Sequence, residues 1–498
     1  MRFRAFDTTR PSIPAKHLLF ALVVALLLLQ SVDLAGAEPA APPSPAARRT
    51  VFVPVANNAM RADDPAPQPG NLAAFFVSTE GKTNTAGSAV DRNGGMHMAF
   101  TVFASVGQHP PAVYAYCPGP AASCASSDGW KAVGLSDLVE EVQLQLTPEG
   151  KPRLLIRKQR DGHTQDEYVY GECDSNCTEA ASWQLTSLVY IGGSEVFAYD
   201  NPQHSFALDP QGRPRFVFTN GWGAGWQVGV YYAYCDEDCT NSDNWYATSI
   251  EDGPQYRSLE FDYPSLKFTS DGRPRIVSNM SFTGESQGVR YLECDQECGE
   301  RSSWSGVALY QRGGGVAASW DLELDQFDRP RFAFYQAATD DGAGERLYYV
   351  WCDDSCLDAS SWQRTTVGLP IGVGQNADMA LDGQGRPRIA YRPLLGDGLG
   401  YGWCDGDCTT PASWQHKQVE TAAKLQAEFP VPNPLTCDPS AWTDAIPSLS
   451  LDGQGNPRIA YDNLSISKCY YTKPGDPNVY TRIEKLFRAV RWLQFPQP

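Results

Sequence analysis

Histidine is scarce in this 498-residue chain. His17, His97, His109, His163, His204 and His416 are the six, scattered along its length. There is no Gly-x-Ser-x-Gly elbow, no His-Glu-x-x-His, no phosphate-cradling glycine loop and no dinucleotide fingerprint, so none of the common catalytic signatures applies. Basic residues are short as well, 40 against 58 acidic, and the formal net charge is −18. A surface of that sign repels phosphate backbones and argues against a nucleic-acid partner. Beyond Leu29 no segment approaches eighteen consecutive apolar residues, the length a membrane-spanning helix needs.

The N-terminus has the pattern of an export signal. Arg2, Arg4, Arg10 and Lys16 precede an apolar run from Leu18 to Leu29, and Ala35-Gly36-Ala37 supplies small residues for cleavage. Twelve apolar residues are short for a bilayer, so cleavage after Ala37 is expected, leaving a secreted or cell-surface chain with a net charge of −20. Residues 38–70 are rich in Pro and Ala and read as a linker.

What is abundant is repetition. LDGQGRPRIAY (Leu381 to Tyr391) and LDGQGNPRIAY (Leu451 to Tyr461) are the clearest of seven copies of one phrase. Looser copies start at Asp91, Thr147, Asp209, Thr269 and Asp325, and the glycine position recurs every 56 to 70 residues. A period of that size means one supersecondary unit stacked on copies of itself. Each copy parses as four short antiparallel strands. The expected fold is therefore an all-β, seven-bladed β-propeller over residues 71–481, with first strands near residues 86, 141, 205, 264, 319, 377 and 447. The last repeat lacks the Cys turn of the others. Its outermost strand can come from residues 478–483 or from residues 72–78. Ile483, Leu486, Phe487, Val490 and Leu493 recur at helical spacing, so residues 482–498 are expected to form a short amphipathic helix and tail.

Fourteen cysteines in an exported chain read as disulfides. Twelve form local pairs, Cys117/Cys124, Cys173/Cys177, Cys235/Cys239, Cys294/Cys298, Cys352/Cys356 and Cys404/Cys408. Each pair is expected to close a tight hairpin, its members facing each other across the ladder with Cα atoms about 4.5–5.5 Å apart. Cys437 and Cys469 remain for each other. A Tyr stands three places before the first Cys of each pair (Tyr114, Tyr170, Tyr232, Tyr291, Tyr349, Tyr401), and a Trp follows the second (Trp130, Trp183, Trp245, Trp304, Trp362, Trp414). Aromatics that recur in every blade suit inter-blade packing. The arginines after Pro, namely Arg153, Arg215, Arg275, Arg331, Arg388 and Arg458, also recur. Six equivalents cannot serve one active site, so they are expected to pair with strand or turn groups.

The phrase, joined to the Tyr-x-x-Cys-Asp-x-x-Cys turn and its trailing Trp, resembles repeats of exported bacterial β-propeller proteins of the sialidase-like, Asp-box-type superfamily, in members with no established activity. The resemblance spans roughly residues 84–475. The Asp-box pattern proper is not met, since Ser270-Asp271-Gly272 leads into Arg273-Pro274-Arg275. Sialidase chemistry is therefore not implied.

Function is expected where repetition stops. Connections between second and third strands, and between blades, are long, differ from repeat to repeat and share one face. On them, Trp222 and Trp226 stand among glycines as sugar-stacking candidates. Asp161, His163, Asp340 and Asp341 bring polar groups to the same rim, and Arg257 and Arg312 can meet a carboxylate ligand. The reading is a monomeric binding module for a glycan or protein, with a sialidase-like glycoside hydrolase or polysaccharide lyase as the alternative. It assigns no catalytic residue, no metal ligand and no cofactor, while leaving room for a structural cation such as calcium. Peptide mapping without reduction is expected to return six hairpin disulfides plus Cys437–Cys469. A pairing between blades among the first twelve cysteines would refute the hairpin account.

Overall fold

The computed structural model describes residues 2–3, 73–76 and 86–498. Within the last range it omits 102–111, 137–138, 160–164, 193–203, 221–228, 253–258, 261–263, 283–284, 313–316, 337–344, 394–397, 422, 426–435, 438–440, 473 and 476–477. Apart from Arg2–Phe3, the expected export signal, and the whole of the 38–70 linker, lie outside the described residues.

Seven antiparallel sheets of four strands follow one another. Blade 1 comprises Ala86–Val90, Met96–Thr101, Ala112–Cys117 and Lys131–Ser136, and blade 2 Val139–Leu146, Pro152–Gln159, Gln165–Glu172 and Gln184–Gly192. Blade 3 comprises Phe206–Leu208, Pro214–Asn220, Gly229–Cys235 and Trp245–Asp252, with Arg2–Phe3 parallel to its last strand. Blade 4 has a divided first strand, Leu259–Glu260 and Ser265–Phe268, then Pro274–Phe282, Glu285–Cys294 and Trp304–Arg312. Blade 5 is Ala317–Leu324, Pro330–Gln336, Arg346–Trp351 and Gln363–Thr366, and blade 6 Gln375–Leu381, Pro387–Arg392, Leu399–Cys404 and Trp414–Glu420. Blade 7 is Ala441–Leu451, Pro457–Thr472, Val479–Gln494 and, from the other end of the chain, Ala73–Phe76. Each first strand touches the first strand of the next blade, and the last touches the first, so the ring is closed around a central channel.

Blade 5 shows why the sequence adopts these strands. Pro330–Gln336 is buried at every position because a sheet lies against each of its faces, hence the nearly unbroken apolar Phe332-Ala333-Phe334-Tyr335. The outer strand Gln363–Thr366 alternates toward solvent and is polar. Between first and second strands, Asp325 accepts the Phe327 and Arg329 amides on Oδ1, and Asp328 takes the left-handed conformation (φ 59°) that glycine takes in the other six copies. Pro330 starts the second strand, where a missing N–H does least harm.

The recurrent arginine ties the two turns of a blade together. In blade 6, Arg388 is fully buried and donates to the Pro387 and Cys404 carbonyls at 3.1 and 2.9 Å, and to Asp382 and Asp405 at 2.8 and 2.7 Å. Asp382 belongs to the first turn and Asp405 to the disulfide turn, so both turns lie on one face. Arg153, Arg215, Arg275 and Arg331 make the same bonds to their disulfide turns, Arg215 and Arg331 also reach Asp209 and Asp325 of the first turn, and Arg458 bonds the Phe495 carbonyl and Asp452. In blade 1, His97 stands in the arginine's place, held by Tyr114 and Asp91, and burial lowers its pKa.

Aromatic pairs join blade to blade. The Tyr of each blade meets the trailing Trp of the next, as Tyr114–Trp183, Tyr170–Trp245, Tyr232–Trp304, Tyr291–Trp362 and Tyr349–Trp414, with centroids 5.0–5.6 Å apart. Each of the six Trp indoles also donates to the carbonyl of the second Cys before it. At the closing blade, Tyr401 meets Phe495 and Trp492 meets Trp130.

All seven disulfides pair as expected: Cys117–Cys124, Cys173–Cys177, Cys235–Cys239, Cys294–Cys298, Cys352–Cys356, Cys404–Cys408 and Cys437–Cys469. Their place in the hairpin is a correction. The first Cys of each pair ends the third strand or directly follows it, but Cys124, Cys177, Cys239, Cys298, Cys356 and Cys408 are not cross-ladder partners and lie in no strand. Cys124 belongs to a short 3-10 helix, Ser123–Ala125, and the other five stand in turns. The residue facing Cys235, Cys294 and Cys404 across the ladder is instead the Trp ten residues later. The cause is local. Asn176, Asp238, Glu297 and Ser355, each one place before the second Cys, take left-handed φ values of 49–56°, which curl the chain back within the connection before the fourth strand begins. The disulfide thus closes a turn inside the connection, with Cα atoms 5.7–5.8 Å apart rather than at the cross-strand spacing. Cys437–Cys469 pins the connection from blade 6 to the second strand of blade 7.

The expected C-terminal helix is a strand. Val479–Gln494 is the third strand of blade 7, with Trp492 and Phe495 in the places of the Tyr and first Cys of other blades. Val490 and Trp492 pack toward blade 1, whereas Leu493 and Phe495 pack toward blade 6. The described end of this strand, Val490 to Phe495, buries apolar residues on both faces and so lacks the alternation by which a strand is read. Lys468 to Tyr471 belong to the long second strand, Pro457–Thr472. Of the two ways to close the ring, the structure uses the N-terminal strand, which pairs with Arg491 to Gln494.

Replacing Trp362 or Tyr349 by Ala is expected to lower stability by roughly 3–5 kcal/mol in denaturant titrations, the cost of emptying a large aromatic site. Deleting residues 72–78 should lower the melting temperature by exposing the edge of Val479–Gln494. An unchanged melt would show that the ring does not need this strand.

Candidate functional site

The innermost strand of each blade has backbone amides that face the channel with no sheet partner. The side chain four residues before the turn position (Asp91, Thr147, Asp209, Thr269, Asp325, Asp382, Asp452) meets this need for the next blade. Ser448 accepts the Ser88 amide at 2.9 Å, Gln143 that of Phe206 at 2.8 Å, and Ser265 that of Leu322 at 2.9 Å. Asp321 accepts the Met379 amide at 3.3 Å, and Asp378 that of Leu449 at 2.5 Å. In blade 3 the His204 carbonyl takes over, accepting the Leu266 amide at 2.8 Å. In blade 1 the position is Gly87, and a Cβ there would come within 3.4 Å of the Leu144 nitrogen.

Ser or Gln suffices for this bond in blades 2, 4 and 7, yet blades 5 and 6 carry aspartate. The reason to notice them lies across the channel. His204, two residues before the first strand of blade 3, places Nδ1 3.3 Å from Asp321 Oδ1 and Nε2 3.0 Å from Asp378 Oδ1. Lys267 of blade 4 lies 4.0 Å from Asp321 Oδ1 and is bonded at 2.7 Å to Glu323 of blade 5. The two Asp side chains are 2% exposed, whereas His204, Glu323 and Lys267 retain 13%, 21% and 28%. Asp321 and Asp378 sit four residues upstream of their turns, roughly 13 Å along a strand at about 3.3 Å per residue. That puts the two aspartates near the middle of their strands, Ala317–Leu324 and Gln375–Leu381, with Lys267 and Glu323 two residues closer to the turns.

Burial governs the protonation of this group. It raises Asp321 well above the usual carboxylate range, against the pull of His204 and Lys267 and with the help of Asp378. It pushes Asp378 up to about 6, although Asp321 and the Leu449 amide oppose it. It lowers His204, with Asp321 opposing. Burial also disfavours the Lys267 ammonium, but Glu323 and Asp321 outweigh it and hold Lys267 above its ordinary value. Two carboxyls, an imidazole and an ammonium converging from four blades can exchange protons or grip a cationic or hydroxyl-rich group.

None of these five residues was among the sequence candidates. Asp161, His163, Trp222, Trp226, Arg257, Asp340 and Asp341 lie outside the described residues. Arg312 ends the fourth strand of blade 4, opposite Gln287. The signal that could have found the cluster is a column of the repeat alignment. Four residues before the turn it reads Gly87, Gln143, Ser205, Ser265, Asp321, Asp378 and Ser448, and two carboxylates stand out in it.

No family model and no curated protein matches the sequence. Among solved structures, the chain is similar to a protein of unknown function from Dyadobacter fermentans, at 11% identity over 86% of this chain and 100% of that one, with a TM-score of 0.39. It is similar to an ulvan lyase of a polysaccharide-lyase family at 9% identity over 82% and 95% of the two chains, TM-score 0.48. A third is an α-L-arabinofuranosidase from Fusarium graminearum, at 10% identity over 85% and 97%, TM-score 0.39. Likeness of this degree transfers no chemistry to this chain.

Proposed function

We propose that the protein is an exported binding module that takes a glycan or protein ligand on the face of its blade-linking and second-to-third-strand loops, over the central channel in which His204, Lys267 and Glu323 are part-exposed. One observation carries the reading. Residues that recur in every blade hold the ring together, whereas charged residues that do not recur converge from four blades on one point. The pattern of seven disulfides with an N-terminal export signal suits an extracytoplasmic site of action.

A second reading, a glycoside hydrolase or polysaccharide lyase, is favoured by Asp321 and Asp378 specifically. A carboxyl with a pKa of about 6, beside a second carboxyl and a histidine, is suited to general acid–base work.

A glycan array and an extracellular-protein array probed with the mature protein separate these readings. Lys267→Met and Glu323→Gln are expected to weaken binding to any ligand found by at least tenfold. Trp222→Ala and Trp226→Ala should also weaken it while leaving the melting temperature near wild type. Shortened or unsaturated products from a bound glycan would establish the second reading. Ligands whose binding ignores both the channel and the loop substitutions would refute the proposed face.

A further inference from the structure

We infer that His204, Asp321 and Asp378 form a binding site for a divalent transition-metal ion of the zinc class inside the central channel. The inference is independent of what the loop face binds.

The carboxylates are the first ground. Each uses Oδ2 to accept a neighbouring blade's amide, which fixes its orientation, and each leaves Oδ1 buried with no hydrogen bond. His204 Nε2 is buried and without a hydrogen bond as well. Three buried atoms from blades 3, 5 and 6, close to one another but not hydrogen-bonded, therefore converge in a ring whose neighbouring positions are satisfied by Ser and Gln. Leaving buried polar atoms unbonded is costly, and a shared ligand removes the cost for all three at once.

Geometry and charge agree. Zinc bonds to nitrogen and carboxylate oxygen measure about 2.0–2.2 Å, which sets ligand atoms about 3.4 Å apart around a tetrahedral ion. His204 Nε2 and Asp378 Oδ1 are already 3.0 Å apart, and one ligand atom from each of the three residues lies within 4.8 Å of the others. Lys267 is bonded to Glu323 at 2.7 Å and reaches Asp321 only at 4.0 Å, so the charge that Asp321 and Asp378 carry when deprotonated lacks a full counter-charge. A divalent ion balances it. One imidazole with two carboxylates suits zinc better than calcium, which takes six to eight oxygens. Three protein ligands leave a fourth position open, and His204 keeps partial exposure on the channel.

Mature protein freed of affinity tags and stripped with a chelator would be titrated calorimetrically with zinc chloride, with bound metal counted after equilibrium dialysis. One equivalent per chain is expected, with affinity reduced at least tenfold in His204→Ala and in Asp378→Asn. The His204 carbonyl, not its side chain, makes the inter-blade bond, and asparagine keeps an oxygen for the Leu449 amide, so both variants preserve the ring. Far-UV circular dichroism checks their folding, and if His204→Ala is unfolded, His204→Gln is judged by the same criterion. No uptake by the wild type, or uptake that survives either substitution, overturns the inference.

Discussion

A closed ring of sheets must satisfy the inner edge of each, and this requirement organises the molecule. An antiparallel sheet with a free edge presents unpaired amides. The channel of a seven-bladed ring is too wide for the first strands to pair across it, so the preceding blade must supply the acceptor. One polar side chain per blade, four residues before the turn, meets that demand in blades 2, 4, 5, 6 and 7. The position sits under strong structural pressure but only weak chemical pressure, because any short or extended side chain with an oxygen will do. That latitude lets the chain place aspartates there without disturbing the ring, and hence build chemistry into its scaffold.

The outer parts of the blade follow a different logic. The disulfide turn, the Pro-following arginine and the Tyr–Trp contact between blades repeat because each solves the same local problem in each sheet. Cross-linking so short a loop adds about 2 kcal/mol at most by chain entropy. Its larger effect is to fix the carbonyls and the Asp side chain that receive the arginine. The closing blade, without the disulfide turn, keeps the geometry with other residues. Trp492 and Phe495 stand in for Tyr and Cys, and Arg491 makes a fully buried pair with Glu420 of blade 6 at 2.5 Å. Such a pair gains little net stability but is costly to break, which favours one register for the last strand over its alternatives.

The fold is legible in the sequence because repetition multiplies weak signals. Any single Asp-x-x-Gly-x-Pro-Arg turn is ambiguous, but seven in register with six cysteine turns are not. The cysteine pairing is legible for the same reason, whereas the position of Cys177, Cys239 or Cys298 within its connection depends on one left-handed residue that spacing alone does not reveal. The C-terminal strand reads as a helix because its end, Val490 to Phe495, buries apolar residues on both faces, which erases the alternation by which strands are recognised. The channel cluster is hidden for another reason. His204, Lys267, Asp321, Glu323 and Asp378 are up to 174 residues apart, and only the ring brings blades 3 to 6 around one point. The variable loops carry the louder signal, whereas the charged residues of the innermost strands sit in two columns of the repeat, four and two residues before the turn.

The central claim is that the aspartates of blades 5 and 6 are present for chemistry, since serine makes the same inter-blade bond elsewhere in the ring. It is tested most directly by the thermal stability, in the presence of chelator, of the double variant Asp321→Ser, Asp378→Ser. Removing buried carboxylates while retaining a hydroxyl acceptor is predicted to leave the melting temperature at or above that of the wild type, as expected where a site is kept at some expense of stability. A melting temperature well below wild type would show that the carboxylates hold the ring together, and would contradict the claim.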